Sequence, residues 1–354
     1  MLGSAGFARS HALRLWAYLY RELVTDFAAM TELPPRLRRW LAKEAMIPGP
    51  AVAATTESDA GETAKYLFVL EGAAQVEVAK IETVLMRYAH RATACLSTQA
   101  GCAMGCVFCA TGQAGFMRNL SPAEIVGQAL CVERALRQGV PRVHGSGCAG
   151  GLEPKPRRSL LGNLVFMGMG EPLANYDAVM TAIEILGDPA GFAIGAKQTT
   201  VSTVGVVPGI VRLADERRNC SLAVSLHAAT QEERAAIVPA ARAWPLDVLM
   251  EACRYYATKL DRRIFFEWTL IAGTNDGPEQ SRHLVELLAG IPAQVNLIPL
   301  NTTPGYDGTA SSDEAARRFQ ARLRDAGLPT TIRTRRGVEA ASGCGQLAAS
   351  RFVV

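Results

Sequence analysis

From about residue 92 onward, short apolar runs alternate with amphipathic stretches, and this alternation restricts the fold more than any other feature. Apolar segments suited to strands fall at 92–98, 163–168, 199–203, 221–227, 263–271, 293–300 and 330–335. Helical periodicity fits most of the intervals, at 121–138, 175–187, 231–237, 245–259, 278–289 and 312–326. Repeated strand–helix–strand units predict an α/β fold with a parallel sheet and helices outside it, either a barrel or a doubly wound sheet. In barrels, chemistry gathers at the C-terminal ends of the strands. The polar motifs considered below fall at such ends.

The first 50 residues read differently. Leu13, Leu15, Trp16, Leu19 and Tyr20 recur at helical spacing, Leu33-Pro34-Pro35 breaks the run, and Leu37 to Met46 resumes it. Two strands are expected at 65–70 and 80–86, with a Glu71-Gly72 turn signal between them. These elements suggest a small N-terminal helical/β module at 1–88, a core at 89–340 and a C-terminal segment at 341–354. The stretch 35–43 carries Arg36, Arg38, Arg39 and Lys43 around Trp40, and suits a solvated helix face as well as an RNA-contacting one. Residues 140–162 are rich in Gly, Pro and Arg with little periodicity. They read as a mobile loop, where Arg142, Lys155, Arg157 and Arg158 fit a solvated insertion better than a phosphate contact.

With 49% hydrophobic residues the chain can build a full core, and with 20% charged residues it has too few charges for extensive disorder. The balance of 37 basic against 33 acidic residues gives +4, which permits a polyanionic partner without requiring one. No apolar run approaches the ~20 residues of a membrane helix, and the amphipathic N-terminal stretch is too interrupted for a signal peptide. A soluble cytoplasmic protein with no membrane partner is expected.

Nine cysteines, three of them within eight residues, suit metal or redox chemistry better than structural disulfides. Cys102, Cys106 and Cys109 form a C-x3-C-x2-C run directly after an expected strand. Thiolates are the soft ligands of iron–sulfur clusters. Three of them on a 4Fe–4S cluster leave one iron open to chelate the amino and carboxylate groups of S-adenosylmethionine. A zinc site would need a fourth ligand, and no histidine supplies one at zinc-finger spacing. The spacing matches the radical S-adenosylmethionine superfamily and says nothing of the reaction.

Other strand ends carry suitable groups. Gly168-Met-Gly170-Glu171-Pro-Leu173 follows an apolar strand, where glycines allow close backbone approach and Glu171 can accept from an ammonium. Ser202, the run Ser225-Leu226-His227, and Asn301 end three further strands. Alone each reads as a cap or turn; gathered at one barrel face they suit cofactor binding. Cys344 lies between glycines and reads as an accessible thiol, whereas Cys131, Cys220 and Cys253 sit in packed patterns.

Across nearly the whole chain the sequence resembles the RlmN/Cfr family of radical S-adenosylmethionine RNA methyltransferases. The resemblance is carried by Ile81-Glu82-Thr-Val-Leu85, by Cys95-Leu-Ser-Thr-Gln-Ala-Gly-Cys102 running into the cluster motif, and by Gly115-Phe-Met-Arg-Asn-Leu120. It continues through Gly168 to Pro172, Ser202 to Pro208, Ser225 to His227, Asn296 to Asn301 and Cys344-Gly-Gln-Leu347. It implies a partial (β/α) barrel with an N-terminal module that aids RNA binding. It also implies a 4Fe–4S cluster on Cys102, Cys106 and Cys109, and S-adenosylmethionine contacts at Gly170, Glu171, Ser202, Ser225, Leu226, His227 and Asn301. Cys344 would be methylated by one S-adenosylmethionine and then lose a hydrogen to the 5′-deoxyadenosyl radical made from a second. The methylene radical would add to an adenine ring, and Cys95 would resolve the adduct, leaving a transient Cys95–Cys344 disulfide. Glu82 would accept a proton. The implied substrates are an adenine of the peptidyl-transferase centre in 23S rRNA and, for dual-specificity members, an adenine of the tRNA anticodon loop. Carbon-2 is expected, with Cfr-type carbon-8 methylation as the alternative. A reducing system such as flavodoxin and a monomeric state are also expected.

Gly343 stands where the family usually has alanine, Val338-Glu339 replaces a more acidic pair, and 140–162 is longer than usual. A radical enzyme acting on another substrate would leave Cys95 and Cys344 without a purpose. A non-catalytic iron–sulfur or zinc protein would cleave no cofactor.

Overall fold

A computed structural model describes residues 3–47, 49–58, 61–70, 78–139, 159–337 and 339–348. The strands are β1 (Ala51–Glu57), β2 (Thr63–Leu70), β3 (Ala79–Tyr88), β4 (Arg91–Cys95), β5 (Gln99–Gly101), β6 (Phe116–Asn119), β7 (Leu161–Phe166), β8 (Thr199–Thr203), β9 (Ser221–Ser225), β10 (Ile264–Leu270), β11 (Ala293–Pro299) and β12 (Thr330–Ile332). The helices are α1 (Arg9–Tyr20), α2 (Pro35–Glu44), α3 (Ala110–Gln113), α4 (Pro122–Gly139), α5 (Tyr176–Gly187), α6 (Val207–Asp215), α7 (Gln231–Ile237), α8 (Leu246–Leu260), α9 (Pro278–Leu288) and α10 (Asp313–Asp325).

Ten strands form one sheet in the order β1-β2-β3-β4-β7-β8-β9-β10-β11-β12. Neighbours from β4 to β12 pair in parallel, while β1, β2, β3 and β4 pair antiparallel. Among the described residues no pairing joins β1 to β12. The strands of the 1–88 segment are therefore hydrogen-bonded into the core sheet through β3. Its helices build a satellite core of Tyr18, Phe27, Met30, Leu33, Leu37 and Leu41. Trp40 packs 5.6 Å from the Phe7 ring, while Arg36, Arg39 and Lys43 are exposed.

The seven core strands and six helices anticipated from periodicity are all present, with ends shifted by a few residues. Five elements were not anticipated: β1, β5, β6, α3 and α6. In β1 small and polar residues lie on a mostly exposed edge, which leaves little apolar alternation to read. In α6, Pro208 and Gly209 sit in the first turn, and both look like turn residues in isolation. The Glu71-Gly72 signal and most of the 140–162 stretch, including all four of its basic residues, lie outside the described residues.

A buried amide fixes where the sheet meets the loops at its C-terminal ends. The Gln128 side chain, fully buried on α4, accepts from Thr83 Oγ1 on β3 (2.6 Å) and from Ser97 N (2.8 Å). It donates to Ser97 O (2.9 Å) and Glu124 O (3.2 Å). Ser97 Oγ in turn donates to Glu82 O (2.6 Å) and accepts from Met169 N (2.8 Å). Two elements, α4 and β3, and two loops thus share one hydrogen-bonded centre. Gln128→Leu would keep the volume but strand the Ser97 backbone groups; a loss of about 2–4 kcal/mol is expected, read from the urea midpoint. An unchanged midpoint would show that the centre is dispensable.

Candidate active site

The loop carrying the three clustered cysteines is pinched at its base. Gly101 on β5 pairs with Phe116 on β6, and Cys102 N donates to Gly115 O (2.8 Å). Gly101 has φ +74°, and a Cβ there would lie 1.9 Å from Gly115 O, so only glycine closes this neck. Cys102, Cys106 and Cys109 all line one cavity of about 920 Å³ at the C-terminal ends of the parallel strands. Burial pushes Cys102 up to about 12 and Cys106 upward as well, and the neighbouring Cys109 adds to the cost of ionising both. Among the described residues, no three His, Cys, Asp or Glu side chains form a group suited to a single metal ion. Thiols bound to separate irons of a cluster need not converge on one point.

The Gly168–Glu171 loop runs against residues 96–99 on the same floor. Gly168 N donates to Leu96 O (3.1 Å), and Thr98 N and Gln99 N both donate to Met169 O (2.8 and 3.2 Å). A Cβ on Gly168 would sit 2.7 Å from Leu96 O. On Gly170, at φ +98°, it would sit 2.5 Å from Gln99 Cβ. The glycines are thus required by backbone-to-backbone contact, in addition to the ligand access inferred from sequence. The Glu171 carboxylate is buried and accepts from Leu173 N (3.0 Å) and Val204 N (2.9 Å). Burial raises it to about 7, against the lowering effect of those N–H groups.

Strand ends complete the wall. Ser202 and Ser225 face each other with their hydroxyl oxygens 3.4 Å apart. They line the cavity together with Gly170, Glu171, His227 and Asn301. Leu226 is fully buried and does not line it. His227 adopts φ +63°, a strained conformation for a non-glycine residue. Its Nδ1 accepts from Thr269 N (3.0 Å), which puts the ring proton on Nε2. Phe108 meets the ring edge-on at 4.9 Å. Burial, with help from Arg234, lowers His227 to about 3. Arg234, not anticipated from sequence, is buried and donates to the carbonyls of Val204, Ser225 and Leu226, tying the ends of β8 and β9 together.

Cys344 enters the same cavity from the opposite side. Its turn is stapled to α3: Ala110 N donates to Gly345 O (2.7 Å) and Thr111 Oγ1 to Leu347 O (2.6 Å). Asn301 Nδ2 holds Cys344 O (3.1 Å). Cys344 keeps accessible surface, yet surrounding protein still raises its thiol while the Arg333 guanidinium opposes that rise. This is the behaviour of a group at the lip of a recess. Cys95 lies behind the cavity wall, buried, and is pushed up to about 12 by desolvation and then by the nearby Cys344 sulfur. Glu82 is also outside the cavity lining. Its carboxylate is 2.9 Å from Lys65 Nζ and accepts from Ala348 N (2.8 Å). Arg333 and Glu267, also unanticipated, are paired at 2.7 Å beside the two thiols. Glu267 Oε2 is buried without a hydrogen-bond partner, and such an acceptor beside a cavity suits a ligand donor.

No family model matches the chain. A probable dual-specificity RNA methyltransferase RlmN 2 of Opitutus terrae is 56% identical, covering 96% of this chain and 81% of the relative. A dual-specificity RNA methyltransferase RlmN 1 of Myxococcus xanthus is 51% identical over 99% of this chain and 91% of its own. The chain belongs to the RlmN family. A solved radical SAM methyltransferase from Sphaerobacter thermophilus has the same fold, with TM-score 0.89, 41% identity, and coverage of 99% of this chain and 96% of that one. RlmN proteins are radical S-adenosylmethionine RNA methyltransferases, and membership brings a 4Fe–4S cluster and S-adenosylmethionine as cofactors. The cavity fits both: three soft thiols lie on one loop, and a buried carboxylate sits in the same recess.

The His227 environment has a direct readout. Nitrogen NMR should find a neutral, Nε2-protonated ring that does not titrate above about pH 4. Because the folded value is depressed, the group's contribution to stability is complete above its unfolded value of about 6.5 and is lost as pH falls toward 3. A ring titrating near 6.5 would contradict this burial.

Proposed function

We propose that this RlmN protein methylates carbon-2 of an adenine in the peptidyl-transferase centre of 23S rRNA, and an adenine of the tRNA anticodon loop, through an S-methylcysteine at Cys344. The observation that supports this best is the placement of the Cys344 side chain in one cavity with the three clustered cysteines and Glu171. A methyl acceptor must stand where the cofactor stands, and few other arrangements would need a thiol there.

In this reading Cys102, Cys106 and Cys109 hold the cluster. Glu171 and the polar groups of Gly170, Ser202, Ser225, His227 and Asn301 orient S-adenosylmethionine, and Leu226 backs them from the core. When bound, the two cofactors supply a 5′-deoxyadenosyl radical. The protein's own part is to present the S-methyl group of Cys344 to that radical and to keep water out. The adenine leaves its stack to reach the recess, as bases must when chemistry is done on their ring.

Cys95 then resolves the protein–RNA adduct. Its sulfur, having given up its proton, bonds to the Cys344 sulfur as the bond from that sulfur to the base-bound methylene breaks. The electron pair stays on the carbon, which takes a proton to become the methyl group, and the resulting disulfide must be reduced, for example through flavodoxin. Both residues are free thiols in this structure, and burial holds the Cys95 thiol protonated until it is needed. The Arg333 guanidinium lowers the cost of ionising either sulfur. Glu82 accepts the proton released in the adduct. Lys65 and Ala348 each engage one of its oxygens, and a carboxylate oxygen has a second lone pair to offer.

The proposal is tested by mass spectrometry of nucleosides from rRNA and tRNA incubated with the reconstituted enzyme. 2-Methyladenosine is expected; 8-methyladenosine would overturn the carbon assignment. Cys344→Ala is expected to retain iron, sulfide and cofactor cleavage while making no methylated RNA, and full activity in that variant would remove Cys344 from the reaction. Cys95→Ala should accumulate a covalent protein–RNA species on denaturing gels. Free product at the normal rate would exclude its resolving role.

A further inference from the structure

A second cavity, of about 1130 Å³, opens on the other side of the Cys344 turn and shares Ile298, Asn301 and Cys344 with the first. Its lining contains four arginines, Arg91, Arg333, Arg335 and Arg336, and no aspartate or glutamate. Secondary structure explains the gathering. Tyr88 and Arg91 face each other across the β3–β4 hairpin. The parallel register of Leu297 with Ile332 carries the four residues after β12 over the end of β11.

The four cations are not equivalent. Arg333 is paired with Glu267 at 2.7 Å, and Arg336 with Glu62 at 2.9 Å. Arg336 also donates to Arg87 O (3.1 Å), and its guanidinium lies over the Tyr88 ring at 4.5 Å. Arg91 lies over the same ring at 4.7 Å. Among the described residues no ion pair neutralises Arg91 or Arg335, and both are exposed. Arg335 and Arg336 also line a shallow hollow on another side, which they share with Glu62 and Glu339. Two forked cations that are held in no ion pair among the described residues therefore border the recess next to the Cys344 sulfur, and guanidinium forks match the paired oxygens of phosphate.

We propose that Arg91 and Arg335 bind phosphodiester groups of the single RNA strand immediately flanking the adenine presented to Cys344, with Tyr88 and Arg336 holding the Arg91 side of the recess rigid. This rests on the functional reading above, since a base delivered to Cys344 brings its own flanking phosphates with it. Phosphate contacts fix register and orientation without reading sequence, so a site of this kind serves two different RNA contexts equally well.

The test uses the reconstituted holoenzyme and an in vitro transcript of the peptidyl-transferase hairpin of 23S rRNA, with binding followed by fluorescence anisotropy over a KCl series. Arg91→Ala and Arg335→Ala should each weaken binding by roughly five- to tenfold at low salt and flatten the salt dependence by about one phosphate contact apiece. KM should rise with kcat little changed. Arg335→Lys should keep the salt slope, because it keeps the charge. In the proposed reaction Cys344 is methylated before the base is engaged, so the extent of that methylation, read by mass spectrometry, reports whether each variant is folded and loaded. If the double alanine variant forms S-methyl-Cys344 and binds the transcript with wild-type affinity and salt slope, the phosphate site is wrong while the reaction stands. If the wild-type holoenzyme neither binds nor methylates the transcript, the functional reading fails, and the site fails with it.

Discussion

Two loops pass so closely at the C-terminal ends of β4 and β7 that no side chain fits between them, and the site is built on that contact. Residues 96–99 and 168–170 exchange backbone hydrogen bonds, and a methyl group on either Gly168 or Gly170 would collide with the opposing loop. Ser97 and Gln128 lock the contact from the core side. One loop leads on to the cluster cysteines through β5, and the other leads directly to Glu171. Their separation is thereby set by backbone geometry, which is stiffer than any side-chain contact.

The recess formed above this contact is strongly desolvating. The same burial that raises Glu171 to about 7 and Cys102 to about 12 lowers His227 to about 3. In each case burial works against the charged form. A cavity of that kind holds ionic ligands by giving its buried groups what they lack, and the orphaned Glu267 oxygen is part of the same pattern.

Much of this was legible in the sequence because the signals were local. Cys102, Cys106 and Cys109 lie within one loop, the Gly168–Glu171 motif is contiguous, and parallel strands buried on both faces announce themselves as apolar runs. Groups whose meaning depends on distant partners were not legible. Gln128 looks like any polar residue of an amphipathic helix until Thr83 and Ser97 are placed against it. Arg234 looks like a surface arginine of α7, yet its partners are carbonyls at the ends of two strands. The pairing of Arg333 with Glu267 spans 66 residues of sequence. The strands at 65–70 and 80–86, which are β2 and β3, read as part of an N-terminal module because sequence shows where strands occur but not which neighbours they choose.

The four-residue helix α3 joins two parts of the site. It begins at the residue after Cys109, and its first two residues grip the carbonyls of Gly345 and Leu347 on either side of the terminal turn. One short piece of backbone therefore seats both the loop of Cys102, Cys106 and Cys109 and the turn that carries Cys344. A displacement of either segment is thus passed to the other through two hydrogen bonds.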